Sequence, residues 1–95
     1  MIRIMARILS RAETAGELQQ LMLELVGPSR RESGCISYEL FRDEENPLEF
    51  VTMERWANQA AADAHMVTPH VAAAIAKAGS LLAQPPLIHR FAQLA

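Results

Sequence analysis

The segment from Leu48 to Trp56 limits the fold of this chain more than any other. Its alternation puts Phe50 and Trp56 on one face of a strand, with Val51 and Met53 on the other. A sheet built around such a strand has one apolar face to pack on helices and a second that needs its own cover. Burying several side chains of this kind contributes about 1.5 to 3 kcal/mol each. The 51% hydrophobic content of the 95 residues is at the high end for a single small domain, so surplus apolar surface is expected.

The rest of the chain supplies a matching set of elements. Ile2 to Ser10 reads as a strand with Ile2, Ile4, Ala6 and Ile8 on one face and Arg3, Met5, Arg7 and Leu9 on the other. Thr14-Ala15-Gly16-Glu17 matches a capping box, and Leu18, Leu21, Met22, Leu25 and Val26 follow as one helical stripe. Gly27-Pro28 is expected to kink or stop this helix, with room for one more turn over Ser29 to Glu32 before Gly34. Cys35, Ser37, Glu39 and Phe41 alternate with Ile36, Tyr38 and Leu40 in a second strand. The polar turn Asp43 to Pro47 joins it to the third as a hairpin.

Asn58 is a good N-cap for a short helix from about Gln59 to Met66, and Thr68-Pro69 starts another, whose stripe is Val71, Ile75 and Ala78. Gly79 is placed to end that helix, and Leu87 to Leu94 reads as a last strand. The order β-α-β-β-α(α)-β is that of an α+β, ferredoxin-like fold with an antiparallel sheet, here one domain over residues 1–95. Its uncovered sheet face, with Met5, Leu9, Val51 and Met53, predicts a homodimer packed sheet to sheet.

Composition removes several function classes. A formal net charge of -2 argues against a nucleic-acid partner, and Arg3, Arg7 and Arg11 read as a solvated strand edge. No apolar run approaches the roughly 20 residues that span a bilayer. The lone Cys35 allows no internal disulfide and favours a reducing, cytoplasmic setting. Gly16, Gly27, Gly34 and Gly79 never cluster into a phosphate-cradling loop, and no Gly-x-Ser-x-Gly elbow occurs.

The histidines need closer reading. A five-residue step turns about 140° around a helix axis, and Pro69 interrupts any continuous helix. His65 and His70 are therefore not a one-face zinc pair, and with His89 on a further element no metal site is expected. His65 follows an alanine-rich turn that leaves room around its ring, while His70 sits at the second position of its helix. Either can be a proton acceptor or a half-buried packing residue. Trp56 is a core anchor or the wall of a pocket for a flat ligand, and Glu54 shares its strand face. Tyr38 faces the core or that pocket, whereas His89 and Cys35 read as structural.

At these residues the sequence resembles the antibiotic biosynthesis monooxygenase family. The resemblance runs through the first strand, Glu32 to Tyr38, Phe50 to Trp56 with its Glu54-x-Trp56, and Ala64 to His70. It implies a ferredoxin-like protomer and a dimeric α+β barrel. It further implies oxidation of quinols, anthrones or related phenols by molecular oxygen with no flavin, haem or metal cofactor. Carried over, His65 and His70 are the catalytic candidates, and Trp56, Tyr38, Phe50 and Glu54 the substrate-binding ones. Haem-degrading relatives use a first-strand Asn and a Trp and iron-ligating His on the later helical segment, whereas this chain has no first-strand Asn, no tryptophan beyond Trp56 and no histidine between His70 and His89. Another branch isomerises a phosphorylated signalling sugar, and its Thr-Pro-His segment is similar to Thr68-Pro69-His70. A non-enzymatic dimeric module for apolar metabolites is the third expectation.

Overall fold

The computed structural model describes residues 1–95. Strand β1 (Ile2–Leu9) leads through a short 3-10 turn (Ala12–Thr14) into helix α1 (Ala15–Arg30). Strands β2 (Cys35–Arg42) and β3 (Glu49–Trp56) form the hairpin, α2 (Gln59–Met66) and α3 (Pro69–Ala78) follow, and β4 (Leu87–Ala92) closes the chain. The sheet order is β2-β3-β1-β4 with every neighbour antiparallel. This is the ferredoxin-like α+β arrangement expected from the element order. No helix is long and apolar enough to cross a membrane.

The structure corrects or decides four local readings. Thr14 precedes α1 but makes no capping bond; its hydroxyl donates to the Leu81 carbonyl at 2.7 Å, tying the helix start to the segment after α3. Helix α1 takes the further turn that the sequence left open, running through Gly27 and Pro28 to Arg30, and the Arg31 N–H closes it onto the carbonyls of Gly27, Pro28 and Ser29. Pro28 is tolerated because the carbonyl its missing N–H would have bonded belongs to exposed Glu24, where water can serve instead. A register shift between Cys35 and Ser37 breaks the alternation of β2, so Cys35 pairs with Trp56 and packs on the core while Ile36 bulges out, 50% exposed. In α3 the buried residues are Val71 and Ala74, while Ile75, on the same inner side, stays 58% exposed.

The covered sheet face carries Ile4, Ala6, Tyr38, Phe50, Thr52, Glu54 and Trp56, all buried. The core divides in two. Ile4, Tyr38, Trp56 and Ala62 cluster beneath α2, and Leu18, Met22 and Phe50 cluster beneath α1. The opposite face carries Phe41, Met53 and Phe91, each between 45% and 49% exposed, and nothing in this chain covers it.

Candidate functional site

Between the two core clusters the helices stand off the sheet and leave a cavity of about 550 Å³. Its walls are mainly apolar, from residues such as Ile4, Leu18, Met22, Val71, Ala74 and Ile88. Tyr38, Thr52, Glu54 and His65 gather at one end, and no Lys or Arg lines it. A space of this size and lining suits a small, largely apolar ligand held by a few polar groups.

Strand periodicity supplies the first part of that polar end. Thr52, Glu54 and Trp56 recur every second residue on the covered face of β3. The Thr52 hydroxyl donates to Glu54 Oε2 at 2.7 Å, and the Trp56 indole N–H donates to Glu54 Oε1 at 3.0 Å. Glu54 is 4% exposed, and burial pushes its carboxyl above the usual carboxylate range despite those two donors. Tyr38, opposite Glu54 in the hairpin, is also raised, first by burial and then by the Glu54 charge, so it stays a neutral phenol.

Helix α2 supplies the second part. Asn58 caps it, its side chain accepting the Ala61 N–H at 2.8 Å, and the helix ends at Met66 with His65 in its last turn. The His65 ring lies 4.5 Å from the Trp56 ring, centroid to centroid, and 5.7 Å from that of Tyr38. Its Nε2 stands 3.6 Å from Glu54 Oε1, an apposition too long for a hydrogen bond. Its Nδ1 is 2.7 Å from Glu32 Oε2.

Glu32 is the residue that sequence reading passed over. The same oxygen lies 2.8 Å from His70 Nε2, so one carboxylate holds both histidines. As a carboxylate, Glu32 has only acceptors, so His65 donates through Nδ1–H and His70 through Nε2–H. The break between α2 and α3 makes this convergence geometrically feasible. The Thr68 hydroxyl donates to the His65 carbonyl at 2.8 Å and accepts the Val71 N–H at 3.4 Å, turning α3 back so that His70 meets Glu32. Gly34 brings Glu32 within reach, because a Cβ there would lie 2.2 Å from the Ala61 Cβ of α2. Only a glycine lets this loop lie so close to the helix. The signal was present as Glu32-Ser33-Gly34 but carried no partner in its own neighbourhood.

Of the residues singled out from sequence, Tyr38, Glu54 and His65 line the cavity. Trp56 is fully buried behind His65, and Phe50 packs with Leu18 and Met22. His70 lies outside the cavity wall, on the far side of Glu32. Cys35, packed on the core edge, has its thiol pushed up first by burial and then by Glu32 and Glu54, which leaves it a poor nucleophile. His89 lies opposite Met5 on the uncovered sheet face and stacks near Phe91.

Residues 1–77 match the family described as antibiotic biosynthesis monooxygenase. The chain belongs to that family. It is 31% identical to Rv0793 of Mycobacterium tuberculosis, named as a candidate monooxygenase, over 98% of this chain and 91% of that one. The solved structure of Rv0793 matches with a TM-score of 0.94, covering 99% of this chain and 95% of the other. PA3566 of Pseudomonas aeruginosa, also 31% identical, matches with a TM-score of 0.92 over 99% and 94% of the two chains. An uncharacterised Synechocystis protein is 41% identical over 73% of this chain, which spans about half, 47%, of that relative's length.

Proposed function

We propose that this protein is a cofactor-independent monooxygenase that oxidises an electron-rich hydroxyaromatic, of the quinol or anthrone class, with molecular oxygen. The observation that carries this reading is an apolar cavity ending on the buried pair Glu54 and His65. Family membership and the monooxygenase names of relatives support the reaction type.

In this reading the substrate ring occupies the apolar space and its hydroxyl meets the polar end. With Nδ1–H committed to Glu32, His65 Nε2 is the unprotonated nitrogen, and it takes the hydroxyl proton. The imidazolium so formed lies between the carboxyl groups of Glu32 and Glu54, which favour its charge. The substrate anion passes one electron to oxygen, and the two radicals combine to form a C–O bond. The resulting peroxide takes up the proton held by His65, and as its O–O bond breaks the same carbon loses its hydrogen as a proton, leaving a carbonyl and releasing the outer oxygen with both protons as water. Tyr38, kept neutral, donates to the substrate oxygen, and Trp56 holds the His65 ring from behind. Phe50 shapes the cavity floor from beneath Met22, and His70 fixes Glu32 from outside. The apolar walls keep water from the anion and the peroxide.

The partners are then a small aromatic substrate, oxygen and a second copy of the chain packed on the uncovered sheet face, in a cytoplasmic setting consistent with the single free thiol. Oxygen uptake with a panel of quinols and anthrones tests the reaction: turnover should stop under anaerobic conditions, and product formed without oxygen would overturn the proposal. The sugar-phosphate isomerase reading has little to support it, since Arg42, Arg55 and Arg90 bond to Gln19, Ser37 and Asp63 and none lines the cavity. An unchanged rate after His65→Ala and His70→Ala would favour a binding module.

A further inference from the structure

Glu32, His65 and His70 come from a loop and two separate helices, and their ligand-type atoms all lie within 4.8 Å of one another. Two imidazoles and a carboxylate are the donor set that zinc, cobalt and their first-row neighbours take. With bonds of about 2.0 to 2.1 Å to such an ion, ligand atoms sit roughly 3.0 to 3.4 Å apart. The contacts of 2.7 and 2.8 Å to Glu32 would need to open by a few tenths of an ångström and the two ring nitrogens, within 4.8 Å of each other, to draw in to the same spacing, with the cation replacing the two ring protons.

A second observation points the same way. The other nitrogen of His65, Nε2, faces Glu54 Oε1 at 3.6 Å, and that oxygen already accepts the Trp56 N–H. While Nδ1 carries the ring proton, the Nε2 lone pair is turned toward a carboxyl oxygen. A cation on Nδ1 moves the proton to Nε2, which then donates to Glu54, the outer carboxylate that metal-bound histidines commonly have. Access is from outside the cavity, because the side chains of His70 and Glu32 are 24% and 14% exposed while that of His65 is 4% exposed.

We propose that Glu32, His65 and His70 form a binding site for a divalent first-row cation of the zinc or cobalt type, with Glu54 as the outer partner of His65. The cation site stands on its own geometry, whereas its effect on turnover rests on the oxygenase reading above. Cation on Nδ1 leaves Nε2 protonated, so His65 accepts no substrate proton, and the loaded protein is the inhibited form.

The test is titration of the chelator-treated full-length protein with cobalt(II), read by its visible d–d absorption, which needs no turnover. One equivalent per chain is expected, displaced by zinc. The bands should vanish in Glu32→Gln and His70→Ala and persist in His89→Ala, whose ring lies on the other sheet face. Glu54→Gln should weaken affinity by about 10- to 100-fold. On the wild-type protein, which needs no variant to fold, nitrogen-15 imidazole NMR should show zinc acting at His65 Nδ1 and His70 Nε2. Absent stoichiometric cobalt bands, bands lost in His89→Ala, or bands retained in His70→Ala with unshifted His65 and His70 resonances would each overturn the site, the last two as an adventitious ion only.

Discussion

One oxygen of Glu32 orders the chemistry of the site, since it holds His65 by Nδ1 and His70 by Nε2 and so selects which ring nitrogen of each is free. His65→Ala should lower kcat for hydroxyaromatic oxidation by about 10²- to 10⁴-fold, the range for a lost general base. His70→Ala should act less, because its ring reaches the cavity only through Glu32; oxygen-electrode kinetics on the two variants distinguish these outcomes. Cys35 reports on the same carboxylates from the side. Burial first, then Glu32 and Glu54, raise its thiol, so less of it is thiolate at a given pH than in a free cysteine. Alkylation by iodoacetamide should therefore lag a free thiol near pH 8 and catch up only at higher pH. Glu32→Gln removes one of the causes and should speed it, with mass spectrometry following the modified fraction.

Among the elements, the contact between the Gly34 loop and α2 sets the position of Glu32. Gly34→Ala puts a methyl group 2.2 Å from Ala61 Cβ, and overpacking of this kind costs about 1 to 3 kcal/mol. Chemical denaturation should show that loss, and Ala61→Gly in the same chain should restore part of it. Thr68 does comparable work between α2 and α3, and Thr68→Ala should cost about 1 kcal/mol through the lost cap. Much of this level was legible in the chain. The Asn58 and Thr68-Pro69 starts are observed where expected, because caps and prolines act on their own few residues. The capping box at Thr14 and the end of α1 both depend on more than their own residues: Leu81 competes for the Thr14 hydroxyl, and an exposed carbonyl lets α1 take its further turn through Pro28. Neither effect is local to its motif.

For the whole molecule, the uncovered sheet face and the cavity are complementary consequences of one layered design. Helices cover one face incompletely, leaving the cavity, and leave the other face with Phe41, Met53 and Phe91 in the open. A dimer packed through that face should run at twice the chain mass in light scattering, and Met53→Glu, charging its middle, should shift the population toward monomer. A wild type that stays monomeric at the highest workable concentration would sink the dimer.

Sequence by itself determined the element order, the strand face shared by Glu54 and Trp56, and the separation of the two histidines onto different helices, because periodicity, caps and breakers are local physics. Tertiary structure alone decided that those helices turn both rings onto Glu32, residues 33 and 38 positions earlier in the chain. It also decided that the β2 bulge sends Cys35 inward, and that Phe50, Trp56 and His70 stand behind the cavity wall rather than on it. These are outcomes of packing, in which a glycine with no side chain and a proline with no N–H matter through partners that no spacing along the chain can name.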